Sequence, residues 1–249
     1  MNHTKPTDEK SAPGQAVSRV VAPEILDDLP AEDPRALRSR RDLRRLNQLM
    51  GNPGILAAAL LEDGGTRPVS SIAELGAGDG WALSQVIRRL PPTAGRATLV
   101  DRQGPPAPES TRALEGCGWK TEFARADVFD WLAAADTHDA IVCNLFLHHF
   151  EGPDLVRLLT LAAGKCRLFI AAEPRRSRPA LFFSRFLWLL GCAAVTRHDA
   201  VVSVRAGFCG DELGAIWPEH AGWSLAEREA NLANHLFVAR REAFPGRAD

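Results

Sequence analysis

The segment Ser71-Ile-Ala-Glu74-Leu-Gly76-Ala-Gly78-Asp-Gly80-Trp81 constrains the fold of this chain more than any other. A short apolar run ends in three glycines at alternate positions, and a helical pattern follows at once. Glycine has no Cβ, so the backbone there can turn sharply and pass close to another group. The helix that follows aims its first N–H groups, unpaired within the helix, at whatever lies beyond the turn. Strand, glycine turn and helix in this order open a β-α-β unit, and such units build parallel sheets.

The rest of the chain repeats that alternation. Short apolar runs predict strands near 70–75, 97–101, 121–126, 139–145 and 167–172. Helical patterns near 81–90, 108–116, 128–134 and 153–164 fall between them. Two further helical stretches, near 178–194 and 209–216, precede runs at 222–229 and 235–241. Only Ala230 to Asn234 separate these runs, and Asn231 and Asn234 suit a turn, which predicts a hairpin. The expected class is α/β: a Rossmann-like, seven-stranded, mostly parallel sheet with a C-terminal antiparallel hairpin, helices on both faces and an N-terminal helical extension.

That extension holds a helix from Pro34 to Met50. Asp33 can cap it, Pro34 suits its first turn and Gly51 follows its last. Leu37, Leu43, Leu46, Leu49 and Met50 form its apolar stripe, and six arginines cover much of the remainder. Residues 1–22, rich in Pro, Lys, Asp and Ser, read as a disordered tail. Residues 23–55 then form a helical cap, and 56–249 the main domain.

Charge and cysteine content narrow the function classes. The net charge is −1, so no global basic field draws nucleic acid or an acidic membrane. The five cysteines are odd in number and widely spaced, with no CxxC, which argues against a disulfide framework or zinc site. Free thiols suit a reducing compartment, and the polar N-terminus lacks the apolar core of a secretory signal; a cytoplasmic protein is expected. The apolar stretch from Leu181 to Val195 is interrupted by Arg185 and is too short to span a bilayer.

A dinucleotide site would place a third glycine where this chain has Trp81. The glycines instead run GxGxG, with Glu74 two residues ahead. This pattern resembles motif I of class I, Rossmann-like S-adenosylmethionine (SAM)-dependent methyltransferases of the small-molecule type. The resemblance implies SAM as cofactor, with Glu74, Gly76, Gly78 and Gly80 at its amino-acid end, and a methyltransferase domain over 56–249. Asp101 ends the next strand, 27 residues after Glu74, followed by Arg102. A carboxylate there can accept both ribose hydroxyls. The resemblance further implies that Asp127 meets the adenine amino group and Val128 packs on the ring; as a bare sequence feature Asp127 is equally a helix cap. Asn144 completes the cofactor set at the end of its strand.

His148 and His149 follow in Leu147-His148-His149, a segment that resembles one beside the reactive methyl in this family. Histidine is suited to take a substrate proton near pH 7. His198 beside Asp199 offers a second acid–base pair. Adjacent histidines rarely ligate one metal, and none is expected. Phe182, Phe183, Phe186 and Trp188 are either core or a wall for a flat, apolar acceptor.

The expected function is in-line methyl transfer to a small, apolar or aromatic acceptor, oxygen favoured over carbon, in secondary or quinone metabolism. Two alternatives stay open: a non-catalytic SAM-binding protein, and an RNA or DNA methyltransferase. The arginine helix favours the latter, while the near-zero charge and the lack of an Asn/Asp-Pro-Pro-aromatic motif oppose it. Trp81 opposes a nicotinamide-dependent oxidoreductase. A homodimer is among the arrangements the sequence allows.

Overall fold

Seven strands form one sheet in the order β3-β2-β1-β4-β5-β7-β6 in the computed structural model, which describes residues 18–30, 32–63, 68–218 and 221–241. The strands are β1 Ser71–Leu75, β2 Gly95–Asp101, β3 Trp119–Arg125, β4 His138–Asn144, β5 Cys166–Pro174, β6 Trp223–Glu229 and β7 Asn234–Arg241. β1 to β5 pair in parallel, and β7 runs antiparallel to both β5 and β6. This is the expected mostly parallel sheet closed by a hairpin.

Period-two burial explains why the sheet is covered on both sides. Ala73, Leu75, Ile141, Cys143, Phe169 and Ala171 point into one apolar cluster, against α6 (Val128–Ala134) and α7 (Gly152–Ala163). Their alternating neighbours Ile72, Ala140, Val142, Leu168, Ile170 and Ala172 point into the other. There they meet α3 (Asn52–Asp63) and α4 (Trp81–Ile87). Strands buried on both faces read as continuous apolar runs, and β5 is buried at every residue.

The cover differs in detail from the sequence expectation. α1 (Ile25–Asp28) is a single turn, and α2 (Pro34–Met50) keeps its predicted bounds and its Asp33 cap. α3 was not foreseen; Gly51, at φ 76°, breaks α2 from it with a left-handed turn. The apolar stripe of α2 coincides only in part with its buried face, at Leu46. Leu37 and Leu49 are exposed, whereas Ser39, Asp42 and Asn47 are buried.

The partner of that polar face is α9 (Ala194–Ala206). Asp42 accepts hydrogen bonds from Ala193 N (2.7 Å) and the Thr196 hydroxyl (3.2 Å), and Ser39 meets Thr196 at 3.0 Å. The single helix expected over 178–194 is instead α8 (Arg178–Ser184), a 3-10 turn at Leu187–Leu190 and the start of α9. Gly191, left-handed at φ 72°, ends the turn. α5 (Pro108–Gly116) and the short α10 (Glu212–Ala215) complete the helices.

Residues 1–17 of the expected tail lie outside the described residues. Its last part is docked: Arg19 donates to the carbonyls of Ala206 (2.8 Å) and Phe150 (2.9 Å) and stacks over Phe208. No helix among the described residues is long and apolar enough to cross a membrane.

Candidate active site

β1 connects outward to β2, and its other neighbour β4 leads to β5 on the opposite side. At such a reversal the loops above the strand ends diverge and leave a crevice. A cavity of about 730 Å³ lies there, lined by the strand ends, by α2 and by the segment before α1. Glu74, Gly76, Gly78, Asp101, Arg102, Asp127, Val128, Asn144, His148 and His149 all line it. Gly80 and His198 do not.

One wall is the glycine turn. Gly76 has φ 68°, and a Cβ there would fall 2.1 Å from the Phe146 ring, so no other residue fits. Gly78 N donates to Asp101 Oδ2 (2.8 Å), while Asp101 Oδ1 accepts from Gln103 N (2.8 Å). Both oxygens thus hold backbone in place at the cavity edge. Gly80, expected at the cofactor, lies behind the cavity wall, where a Cβ would come within 2.8 Å of Leu99. Asp79 accepts from Trp81 N (3.0 Å) and pairs with Arg44 (2.6 Å), which also reaches Glu109 (3.0 Å). Part of the arginine face of α2 is therefore a latch on the glycine turn.

Glu74 is buried, and its Oε2 has no partner among the described residues. Burial, then repulsion from Asp79, pushes its carboxyl well above the usual carboxylate range. Asp127 is the α6 cap as well as a lining residue, accepting from Phe129 N at 2.8 Å. Asn144 sits in an amide chain: it accepts from Asn52 (2.8 Å) and donates to Asn47 (3.0 Å). The next residue, Leu145, is at φ 54°, a costly conformation for a branched side chain.

The other wall is an ion cluster around the paired histidines. His148 is 3% exposed, with Nδ1 2.8 Å from Glu173 and Nε2 3.3 Å from Glu24. Glu173 also accepts from the backbone N–H groups of Phe146 (2.9 Å) and Leu147 (2.8 Å), which fixes the 3-10 turn at Leu147–His149 on the end of β5. Burial opposes charge on His148, but the hydrogen bonds to Glu173 and Glu24 outweigh it, and the imidazole is pushed up to about 9. His149 stacks on His148, with ring centroids 4.2 Å apart. Burial and the neighbouring His148 push it down to about 4. Its Nδ1 lies 3.4 Å from Asp27, whose carboxyl is raised to about 6 by burial and by Glu24. The two histidines therefore differ: one is a buried cation, the other neutral at pH 7.

Ligand atoms of Glu24, His148 and His149 lie within 4.8 Å of one another, a spacing that a metal ion could bridge. Both nitrogens of His148 are, however, already used by carboxylates. His198 is displaced from this group. Its side chain is 52% exposed, and its partner Asp199 accepts from the backbone of Ile25 (2.9 Å) and Leu26 (3.0 Å). Asp199 thereby caps α1, and the pair fastens the cover. The aromatic residues of 182–188 are neither core nor cavity wall.

Among the cluster residues, sequence reasoning missed Glu24 and Asp27, and it reads Glu173 as a strand terminus at least as readily as a substrate contact. Glu173 left a faint signal, a charge closing a wholly apolar run; Glu24 and Asp27 left none.

A family model described as a methyltransferase domain matches residues 72–167, the span from β1 through the glycine turn to the start of β5. The match covers the part of the chain that builds the glycine wall of the cavity. No curated protein matches the sequence. Among solved structures, an O-methyltransferase family protein from Burkholderia thailandensis is similar at 21% identity and TM-score 0.55, over 85% of this chain and 61% of that one. The plantazolicin methyltransferase BpumL, solved with S-adenosylhomocysteine (SAH), is similar at 12% identity and TM-score 0.60, over 85% and 92%. The mitomycin 7-O-methyltransferase MmcR is similar at 21% identity and TM-score 0.53, over 87% and 60%. This chain thus spans under two thirds of the two O-methyltransferases and nearly all of BpumL. The likenesses show the fold: the described residues share the architecture of these methyltransferases.

Proposed function

We propose that the protein transfers a methyl group from SAM to a hydroxyl of a small, apolar or aromatic acceptor. One observation carries this reading: a single cavity joins a cofactor-type wall at the strand ends to a histidine that is neutral at pH 7. The residues present fit SAM. The unpartnered Oε2 of Glu74 suits the ammonium at the amino-acid end, Asp101 the ribose hydroxyls, and Asp127 with Val128 the adenine. SAM, when bound, supplies an electrophilic methyl group.

The chain's own residues would position the acceptor, exclude water and take its proton. His149 is the base in this reading, since His148 is already protonated. Asp27 beside it would hold the ring and offset the new charge, as a carboxylate does for a catalytic imidazole. A proton on His149 is disfavoured by burial and by His148, and the carboxylates Glu24, Asp27 and Glu173 around the pair offset part of that cost. Two of the similar structures are O-methyltransferases by name, which supports oxygen as the target.

The test is SAH release from SAM with a panel of phenols and carboxylic acids. His149→Gln is expected to lower kcat by about 10²–10⁴ on a phenol and to leave SAM affinity unchanged. An unchanged kcat would move the reading to an acceptor that needs no base, such as a carboxylate. Absence of SAM binding would overturn it.

A further inference from the structure

Thirteen large apolar side chains are exposed among the described residues, and six of them fall within Phe182–Leu190. The other seven are scattered. Phe182, Phe183 and Trp188 are each more than half exposed, and Phe182 meets Phe183 and Phe186 at ring distances of 5.7 and 4.8 Å. This is a contiguous plateau, and plateaus of this kind are contact surfaces.

Its charge is as one-sided as its polarity. Residues 174–198 contain five arginines and no aspartate or glutamate, in a chain whose net charge is −1. Arg175 and Arg176 pair with Glu229 and Glu212. Arg178, Arg185 and Arg197 are exposed and form no ion pair among the described residues. Arg197 acts electrostatically on Cys192, just past the end of the plateau.

We infer that this face docks on the surface of an anionic lipid bilayer. Aromatic and leucine side chains enter the headgroup boundary while arginines meet the phosphates, the pattern of peripheral interfacial helices. A second copy of the chain is a poorer occupant. A two-fold interface would set the patch against itself, and its arginines against their own kind. The position has a consequence for the cavity. Pro174 lines the cavity and ends β5, and α8 begins four residues later, so docking brings the cavity end of the sheet toward lipid. The docking itself does not rest on the proposed reaction.

The experiment is sedimentation of the full chain with phosphatidylcholine vesicles, with and without phosphatidylglycerol. Binding is expected only with the anionic lipid, and it should weaken as salt rises. Arg178→Glu with Arg185→Glu should lower partition by at least roughly fivefold per arginine, and Phe183→Asp with Trp188→Asp should abolish it. The substituted residues are exposed, so unchanged thermal unfolding shows that each variant is folded. No partition onto anionic vesicles, or equal partition onto neutral ones, would overturn the inference. So would a concentration-dependent dimer, seen by light scattering and lost in Phe183→Asp with Trp188→Asp, in a protein that ignores vesicles.

Discussion

The glycine wall of the cavity comes from the ends of three successive strands, within residues 74–128. The histidine wall draws Glu24, His148, Glu173 and Ser203 from four separate segments, with Ser203 donating to Glu24. The first wall is mostly backbone, and its partners are near in sequence: Gly78 to Asp101, Asp101 to Gln103, Asp127 to Phe129. The second is mostly side chain, and His148 reaches Glu24 across 124 residues. A local wall tolerates the loss of a distant element; a wall assembled from four segments fails with any one of them.

The sharpest way to break this contrast is Glu173→Ala. It strands a buried imidazolium and removes the acceptor of the Phe146 and Leu147 amides. Breaking a buried pair in this way costs ~3–5 kcal/mol, which urea unfolding would read. A loss under ~1 kcal/mol would mean that the histidine wall does not depend on Glu173.

pH tests the same wall without mutation. His148 is raised from 6.5 to about 9, so its contribution is complete below pH 6.5 and is lost as pH rises through 9. The amount is ~3 kcal/mol. His149 is depressed to about 4, so stability also falls as pH drops from 6.5 toward 4, where the unfolded chain binds a proton that the folded chain refuses. Thermal unfolding across this range should show a dome, and His148→Gln should flatten its alkaline side. A flat profile in the parent protein would remove the buried cation from the argument.

Asp101→Ala probes the glycine wall. Losing a charged acceptor costs about 1.5–3 kcal/mol of SAM affinity, roughly 10- to 100-fold by calorimetry, with the fold retained. Equal affinity would place the ribose elsewhere. The smallest effect belongs to His198→Ala: a stability change within ~0.5 kcal/mol and unchanged SAM binding. A large fall in activity there would return His198 to the site.

The sheet was legible because each of its signals is local. Alternating burial, the glycine turn and the two asparagines at the β6–β7 turn need only neighbouring residues to be read, and the strands β1 to β7 follow them. The buried face of α2 was less legible for the opposite reason. Leucine spacing shows which face is apolar, but Asp42 and Ser39 are buried because Thr196 and Ala193, more than 150 residues away, supply their partners. The same holds for Gly80: its place in GxGxG suggests a ligand, and only the tertiary structure shows Leu99 close behind it.

The sequence by itself determined the fold class, the cofactor-type turn and the presence of a histidine pair, since periodicity and glycine placement act over a few residues. Only the tertiary structure decided which histidine carries charge. His148 and His149 are identical in sequence terms. One is held between two buried carboxylates; the other is pressed against the cation so formed. Burial and charge at a site are sums over all segments that meet there, and no single stretch of chain contains that sum.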